Sequence, residues 1–426
     1  MIKLLTAATV LLLALVASPA GQAAGRSPAA RAQDKASTTI LVAMDGFRAD
    51  YLNRGLTPNL RALADKGVRG SLRPSFPSVT LSNFYTIMTG KTPDHHGIVG
   101  NQFEDESKVA FGGRLSPDKP ETNIKQPAWW RAALPLWASF EAQGGYSAHL
   151  YLPSLGVDSA GRPPAHYVRP TEDIKIAAEP SQFFELLDQS PSDRPRFLTL
   201  YFYPADHEGH EHGPNSPQLN QGLRDIDAAI GSLMAGLRER GLLDRVNIVL
   251  LADHGMAEVP FTQRIVIDEG LAPNTIRPVS LGAYAAIEPG AGVSVDTVAG
   301  KLVGRRGHVE CWRKEDMPKR FRFGSNPRIA PIICLADNGW DITTRDKAAA
   351  ARTGTTPAIR GNHGFDPSNP DMTAVFVASG PAFKPNSRLS IVDNVNVYSL
   401  LAKLVGVKPE PGDGSIAPFT PALKAD

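Results

Sequence analysis

The chain has 426 residues, a formal net charge of +2 and a hydrophobic share of 42%. So small a charge argues against a nucleic-acid duplex or a membrane surface recognised by electrostatics alone. The ordinary apolar content excludes a wholly disordered chain and implies a large buried core, within either one large α/β enzyme or two to three domains.

Residues 1–24 read as a secretory signal. Lys3 supplies the positive charge, LLTAATVLLLALVA the apolar core and SPAGQAA the small residues for cleavage. The competing reading is a single membrane anchor, for which the apolar run is short. No cysteine near the cleavage region points to a lipid anchor. An exported protein, periplasmic or secreted, is expected, with no stable membrane insertion after cleavage. Residues 25–38 are polar and rich in small residues, a disordered lead-in.

TTILVAMDGFR is a continuous apolar run ending in Asp-Gly, as a buried parallel strand should be. LTPNLRALADKG follows with helical spacing, Thr57 as N-cap, Pro58 in the first turn and Gly67 as the stop. Strand signals recur at GYSAHLYL, RFLTLYFYP, RVNIVLLADHG and MTAVFVASGP, separated by helical stretches such as QLNQGLRDIDAAIGSLMAGLRERG. This alternation predicts an α/β fold, a mostly parallel sheet sandwiched by helices. Sites in such sheets lie at the C-terminal strand ends.

Residues 258–357 have shorter runs, more Pro and Gly and both cysteines, and read as a smaller inserted α+β subdomain. The core is then 39–257 and 358–426. Cys311 and Cys334 form an even pair that reads as one disulfide in an exported protein, or as two buried thiols.

Five short blocks carry chemistry: Asp45, Thr80, Asp206 with His210, Asp253 with His254, and His363. Asp45 after its strand is a helix cap or a metal ligand. Asp253-His254-Gly255 at a second strand end is a stronger metal signal, with a plain turn as the alternative. Asp206 and His210, four apart on an expected loop, could reach one ion, while His207 and His212 read as surface residues or neighbours of ligands. His363 lies between Asn-Gly residues in RGNHGFDP and gains meaning through its company. Thr80 opens a short helix, Thr80–Thr89, stopped by Gly90. It is either a simple N-cap or a hydroxyl beside free backbone N–H groups, a ready anion site. A hydroxyl needs a base or a metal to attack phosphorus, and the chain has no G-x-S-x-G elbow. Three carboxylates, three imidazoles and one hydroxyl are the inventory for two zinc ions and an activated nucleophile, which points to metal-assisted phosphoryl transfer.

FPSVTLSNFYTIMTGKTPDHHGIVGN resembles the nucleophile block of the nucleotide pyrophosphatase/phosphodiesterase family, within the alkaline phosphatase superfamily. AMDGFR, YPADHEGHEHGP, LADHGM and GNHGFDP are similar to its metal blocks in the same order, and the likeness runs on through PRIAPIICLADNGWDI and FVASGPAFK. The resemblance implies an alkaline-phosphatase-like fold and two Zn2+. It assigns Asp45, Thr80, Asp253 and His254 to the first zinc, and Asp206, His210 and His363 to the second. Thr80 would be the nucleophile of a phosphothreonine route, Asn101 a donor to a non-bridging phosphate oxygen, and Tyr201 a wall of the leaving-group or nucleotide pocket. Leu81 stands where nucleotide-hydrolysing members usually carry Phe, and Ser82 where Pro is frequent. The expected partner is a small phosphodiester or nucleotide, with a lipid-headgroup diester still open. Rival readings are a phosphomonoesterase of the same superfamily, which would use a further cationic group such as Arg48 or Arg73, and a non-catalytic secreted metal-binding protein. A sulfatase would need a C/S-x-P-x-R context, absent from FPSVTLS.

Overall fold

The computed structural model describes residues 37–112, 127–153, 155–168, 180–190, 192–353 and 358–425. The expected signal, and the lead-in up to residue 36, lie outside them.

The apolar runs form an eight-stranded sheet from β1 (Thr39–Met44), β2 (Val68–Arg73), β3 (Ser147–Leu150), β4 (His166–Val168), β5 (Phe197–Phe202), β6 (Asn247–Leu251), β7 (Ala374–Ser379) and β8 (Ser387–Asp393). Their spatial order is β8-β2-β7-β6-β1-β5-β3-β4. Only β7 runs against its neighbours; every other pairing is parallel. Every residue of β1, β5 and β6 is buried, which is why these segments read as continuous apolar runs rather than as alternating ones. Helices sandwich the sheet, among them α1 (Pro58–Lys66), α2 (Thr80–Thr89), α3 (Pro204–His212) and α4 (Pro217–Glu239). The fold is a mostly parallel α/β sandwich.

Within the inserted region, strands 276–280, 284–289, 332–336, 309–313 and 304–306 form an antiparallel sheet in that order. Cys311 and Cys334 sit opposite each other on two of these strands and are bridged, which settles the choice left open by the sequence. At the root of the region Ala257–Pro260 pairs with Ile359–Asn362. Phe76, just before α2, packs its ring against Tyr284, Phe321 and Phe323 of the inserted region, with the Phe321 centroid 4.6 Å away. The segment leading into α2 is thereby packed against the inserted region.

One helix start differs from the sequence expectation. Thr57 holds the N-cap position of α1 but makes no capping bond. Asp227 of α4 takes over, accepting the Asn59 and Leu60 N–H groups at 3.1 and 2.8 Å and the Asn59 side-chain amide at 2.9 Å. A cap reaching from another helix ties the two together and leaves no local sequence signal. Because Asp227 is buried, Asp227→Ala strands these donors and should cost about 1–3 kcal/mol. A lowered urea midpoint with an unchanged slope is the expected result; an unchanged midpoint contradicts the cap.

Candidate metal and nucleophile site

The three central strands end level with one another. Ala43 of β1 is paired with Leu251 of β6 and with Tyr201 of β5, so Asp45 and Asp253 each fall two residues past the same pairing. Gly46 then turns the chain at φ +65°, and a Cβ there would stand 2.9 Å from the Asp206 Cα. Only glycine permits both the turn and that approach. The Gly46 N–H donates to Asp253 Oδ1 at 3.3 Å.

Asp206 and His210 lie on helix α3, not on the loop expected from sequence. Four residues make about one helical turn, so the spacing puts both on one face, with His210 Nε2 3.5 Å from Asp206 Oδ1. His363 follows the Ile359–Asn362 strand. Its Nε2 lies 3.0 Å from His210 Nε2 and 3.5 Å from Asp206 Oδ1. On the other side, His254 Nε2 is 3.0 Å from Asp253 Oδ2 and 3.5 Å from Asp45 Oδ1. The rings of His254 and His363 stack at 3.6 Å, bringing the two groups side by side.

All three imidazoles are pinned by backbone. His210 Nδ1 meets the Gly361 carbonyl at 3.0 Å, His254 Nδ1 that of Gly255 at 2.9 Å and His363 Nδ1 that of Ser78 at 2.9 Å. A carbonyl can only accept, so each Nδ1 carries a proton, and in the neutral form each ring presents its Nε2 lone pair to the site. Two such lone pairs, on His210 and His363, face each other across 3.0 Å; they repel unless a cation is shared between them. Asp45 Oδ1, Asp206 Oδ1 and Asp253 Oδ2 are buried without a hydrogen-bond partner, an arrangement that is costly for carboxylates unless something positive meets them. Asp206 groups within ligand distance both with His210 and His363 and with Asp45 and His254. The donor set therefore fits two adjacent cations, and mixed imidazole and carboxylate ligation suits zinc.

The electrostatics agree. Burial, then Asp253 and Asp206, push the Asp45 carboxyl well above its ordinary range. Burial, then the neighbouring His254 and His210, hold His363 well below the usual imidazole value, which keeps it neutral. At His254 burial opposes protonation, but Asp253, Asp206 and the Gly255 carbonyl together outweigh it and raise the value. Metal ligands must be deprotonated, so His363 is already in its ligand form, while Asp45 and His254 would each give up a proton to a bound cation.

Thr80 is the first residue of α2 and half-buried; Val79 holds the N-cap position, so the hydroxyl is not spent on capping. Its Oγ1 lies 3.1 Å from His254 Nε2. Asn101 Oδ1 accepts the Leu81 N–H at 2.9 Å, which fixes the amide and leaves Nδ2 as its donating end. That bond also uses one of the N–H groups expected to cradle an anion. The Leu81 side chain is buried in the cluster that includes Val79 and Tyr85, so it offers little open face to a base. Tyr201, expected as a pocket wall, is buried behind Asp45, and its hydroxyl donates to Asp45 Oδ2. His207 and His212 are exposed. Arg48 is engaged by Asp50 and Asp371, and Arg73 by Asp393.

The family model for type I phosphodiesterase / nucleotide pyrophosphatase matches residues 39–366. An uncharacterised pyrophosphatase/phosphodiesterase of Schizosaccharomyces pombe is 33% identical over 393 residues, covering 89% of this chain and 79% of that protein. The Bos taurus ectonucleotide pyrophosphatase/phosphodiesterase family member 3 is 32% identical over 402 residues, covering 90% of this chain but only 44% of that longer protein. Among solved structures, murine ectonucleotide pyrophosphatase/phosphodiesterase 5, an inactive threonine-to-alanine variant in complex with AMP, matches with a TM-score of 0.82 at 28% identity, over 91% of this chain and 100% of that one. The fold and the metal-ligand chemistry are those of a phosphoric ester hydrolase of the alkaline phosphatase superfamily. The chain belongs to the type I phosphodiesterase / nucleotide pyrophosphatase family.

The Tyr201 hydroxyl donates to the Asp45 carboxylate from behind. Burial, then the charge on Asp45, raise its own pKa well above the ordinary value, so it stays a donor. Tyr201→Phe should weaken zinc binding about 10-fold, as loss of a hydrogen bond to a ligand typically does. Competition with a chromophoric chelator reads this directly, and an unchanged affinity would remove Tyr201 from the site's support.

Proposed function

We propose that the protein is an exported, two-zinc phosphodiesterase and nucleotide pyrophosphatase that works through a phosphothreonine at Thr80. The observation that carries the reading is the convergence of Thr80, three partnerless carboxylate oxygens and three backbone-pinned imidazoles in one cleft. Asp45, Asp253 and His254, with Thr80, would hold one ion, and Asp206, His210 and His363 the other. When bound, the ions supply Lewis-acid charge that lowers the hydroxyl pKa and offsets charge on the attacking and leaving oxygens.

The chain's own residues do the rest. Thr80 Oγ1 lies 3.1 Å from His254 Nε2, so the hydroxyl is already directed at the ion that His254 would hold. Thr80 Oγ1 gives up its proton to solvent and bonds to phosphorus as the bond to the leaving oxygen breaks, and the leaving half departs, as a phosphate or as an alcohol that takes a proton from solvent. Asn101 Nδ2 donates to a non-bridging oxygen, where negative charge builds. Water then attacks the same phosphorus, the Thr80 O–P bond breaks, and the hydroxyl is restored.

Diesters are favoured over monoesters because Arg48 and Arg73, the cationic candidates raised by the sequence, are already committed to carboxylates. The additional charge of a monoester dianion finds no uncommitted partner in them. Export is supported by the apolar N-terminal run and by relatives named as ectoenzymes. Among the described residues no helix is long and apolar enough to cross a membrane.

Hydrolysis of bis-p-nitrophenyl phosphate should far exceed that of p-nitrophenyl phosphate, vanish with chelator and return with zinc. Activity on the monoester alone would overturn the diesterase reading. Thr80→Ala should retain a folded, metal-binding protein but lose turnover by at least about 10³-fold; undiminished kcat would exclude Thr80 as the nucleophile.

A further inference from the structure

The inserted region reaches back to the site at one carboxylate. Asp341 opens the Asp341–Thr343 strand, which runs parallel to Arg264–Val266. The strand is fixed by backbone bonds from Asp341 N to the Gln263 carbonyl at 3.0 Å and between Ile342 and Gly282. From there Asp341 Oδ1 accepts the Asn362 side-chain amide at 2.6 Å. The other end of that amide, Asn362 Oδ1, accepts the backbone N–H of His363 at 2.9 Å.

The two bonds use opposite ends of one planar group, so the carboxylate dictates which way the amide is turned. Turned this way, the amide presents an acceptor to His363 and fixes the start of the ligand loop. The same strand, Ile359–Asn362, also carries Gly361, whose carbonyl pins His210. A Cβ at Gly361 would lie 2.4 Å from the Gly209 carbonyl, so this strand lies directly against α3. The position of one short strand end therefore sets both imidazoles that face each other across 3.0 Å. The other ligand group takes its orientation elsewhere, from Gly255, Gly46 and Tyr201.

We propose that Asp341 is a positioning residue for the His210–His363 group: acting through Asn362, it holds the ligand-bearing strand end and sets the affinity of one of the two cations without touching it. This rests on the two-cation reading above. It also gives the inserted region a task at the site, since its half-buried carboxylate is linked by two hydrogen bonds to a ligand residue.

The test is a zinc titration of the full chain against a competing chromophoric chelator, with Asp341→Ala, Asp341→Asn and Asn362→Ala beside the wild type. Thermal unfolding of the metal-free proteins checks that each variant folds. Asp341→Ala and Asn362→Ala should weaken one ion by about 10- to 100-fold and leave the other within about threefold. Asp341→Asn keeps an acceptor oxygen and should bind both ions within about threefold of the wild type. Should Asp341→Ala fail to fold, Asn362→Ala and Asp341→Asn carry the comparison. Folded alanine variants with both affinities intact, an equal loss at both ions, or an Asp341→Asn as weak as the alanine variant would each overturn the proposal. If the wild type itself takes up fewer than two ions, the two-cation reading fails first, and this inference with it.

Discussion

Three carboxylates, Asp45, Asp206 and Asp253, are buried together at the ends of adjoining elements, each with an oxygen that no protein donor satisfies. Mutual repulsion of that kind is expensive in a low-dielectric cleft. His254 relieves part of it, since Asp253 and Asp206 favour its protonated form, but His363 is held neutral and all three Nδ1 atoms face backbone carbonyls. The arrangement calls for more positive charge than its own side chains supply. That constraint explains the donor set, the raised Asp45 and the lowered His363 as parts of one arrangement.

The fold supplies the precision. Parallel pairing in register brings β1, β5 and β6 to a common end, and the buried strands leave no freedom to slip, since one residue of slippage would reverse every side chain. A turn at Gly46, a helical turn between Asp206 and His210, and the short strand before His363 then deliver the ligands from separate directions. The contact of Phe76 with Phe321 and Phe323 ties the segment before Thr80 to the inserted region. Placement of Thr80 thus depends on that region as well as on the main sheet.

Much of this was legible in the sequence because buried parallel strands read as plain apolar runs and their ends carry short polar signatures such as MDG and ADHG. The extent of α2 was equally plain, from the Gly90 stop. What escaped were interactions between distant segments. Asp227 capping α1 has no local pattern, and Thr57 looked like the cap because it sat in the right place. A loop was the expectation for DHEGH, yet the segment is helical, and Gly209 suits it because a Cβ there would stand 3.0 Å from Met256. Tyr201 was read as facing substrate, whereas its register partner Ala43 lies two residues before Asp45, which foreshadows a role behind that carboxylate. Backbone carbonyls that fix the imidazoles carry no residue signature.

The central claim is that these side chains hold two cations with the Thr80 hydroxyl beside them. Anomalous scattering at the zinc edge, from crystals of the zinc-loaded protein, tests it most directly. The account predicts two peaks about 4 Å apart, one bounded by Asp45, Asp253 and His254 and the other by Asp206, His210 and His363, with Thr80 Oγ1 at the first. A single peak, or metal bound elsewhere while this cleft scatters nothing, would contradict it.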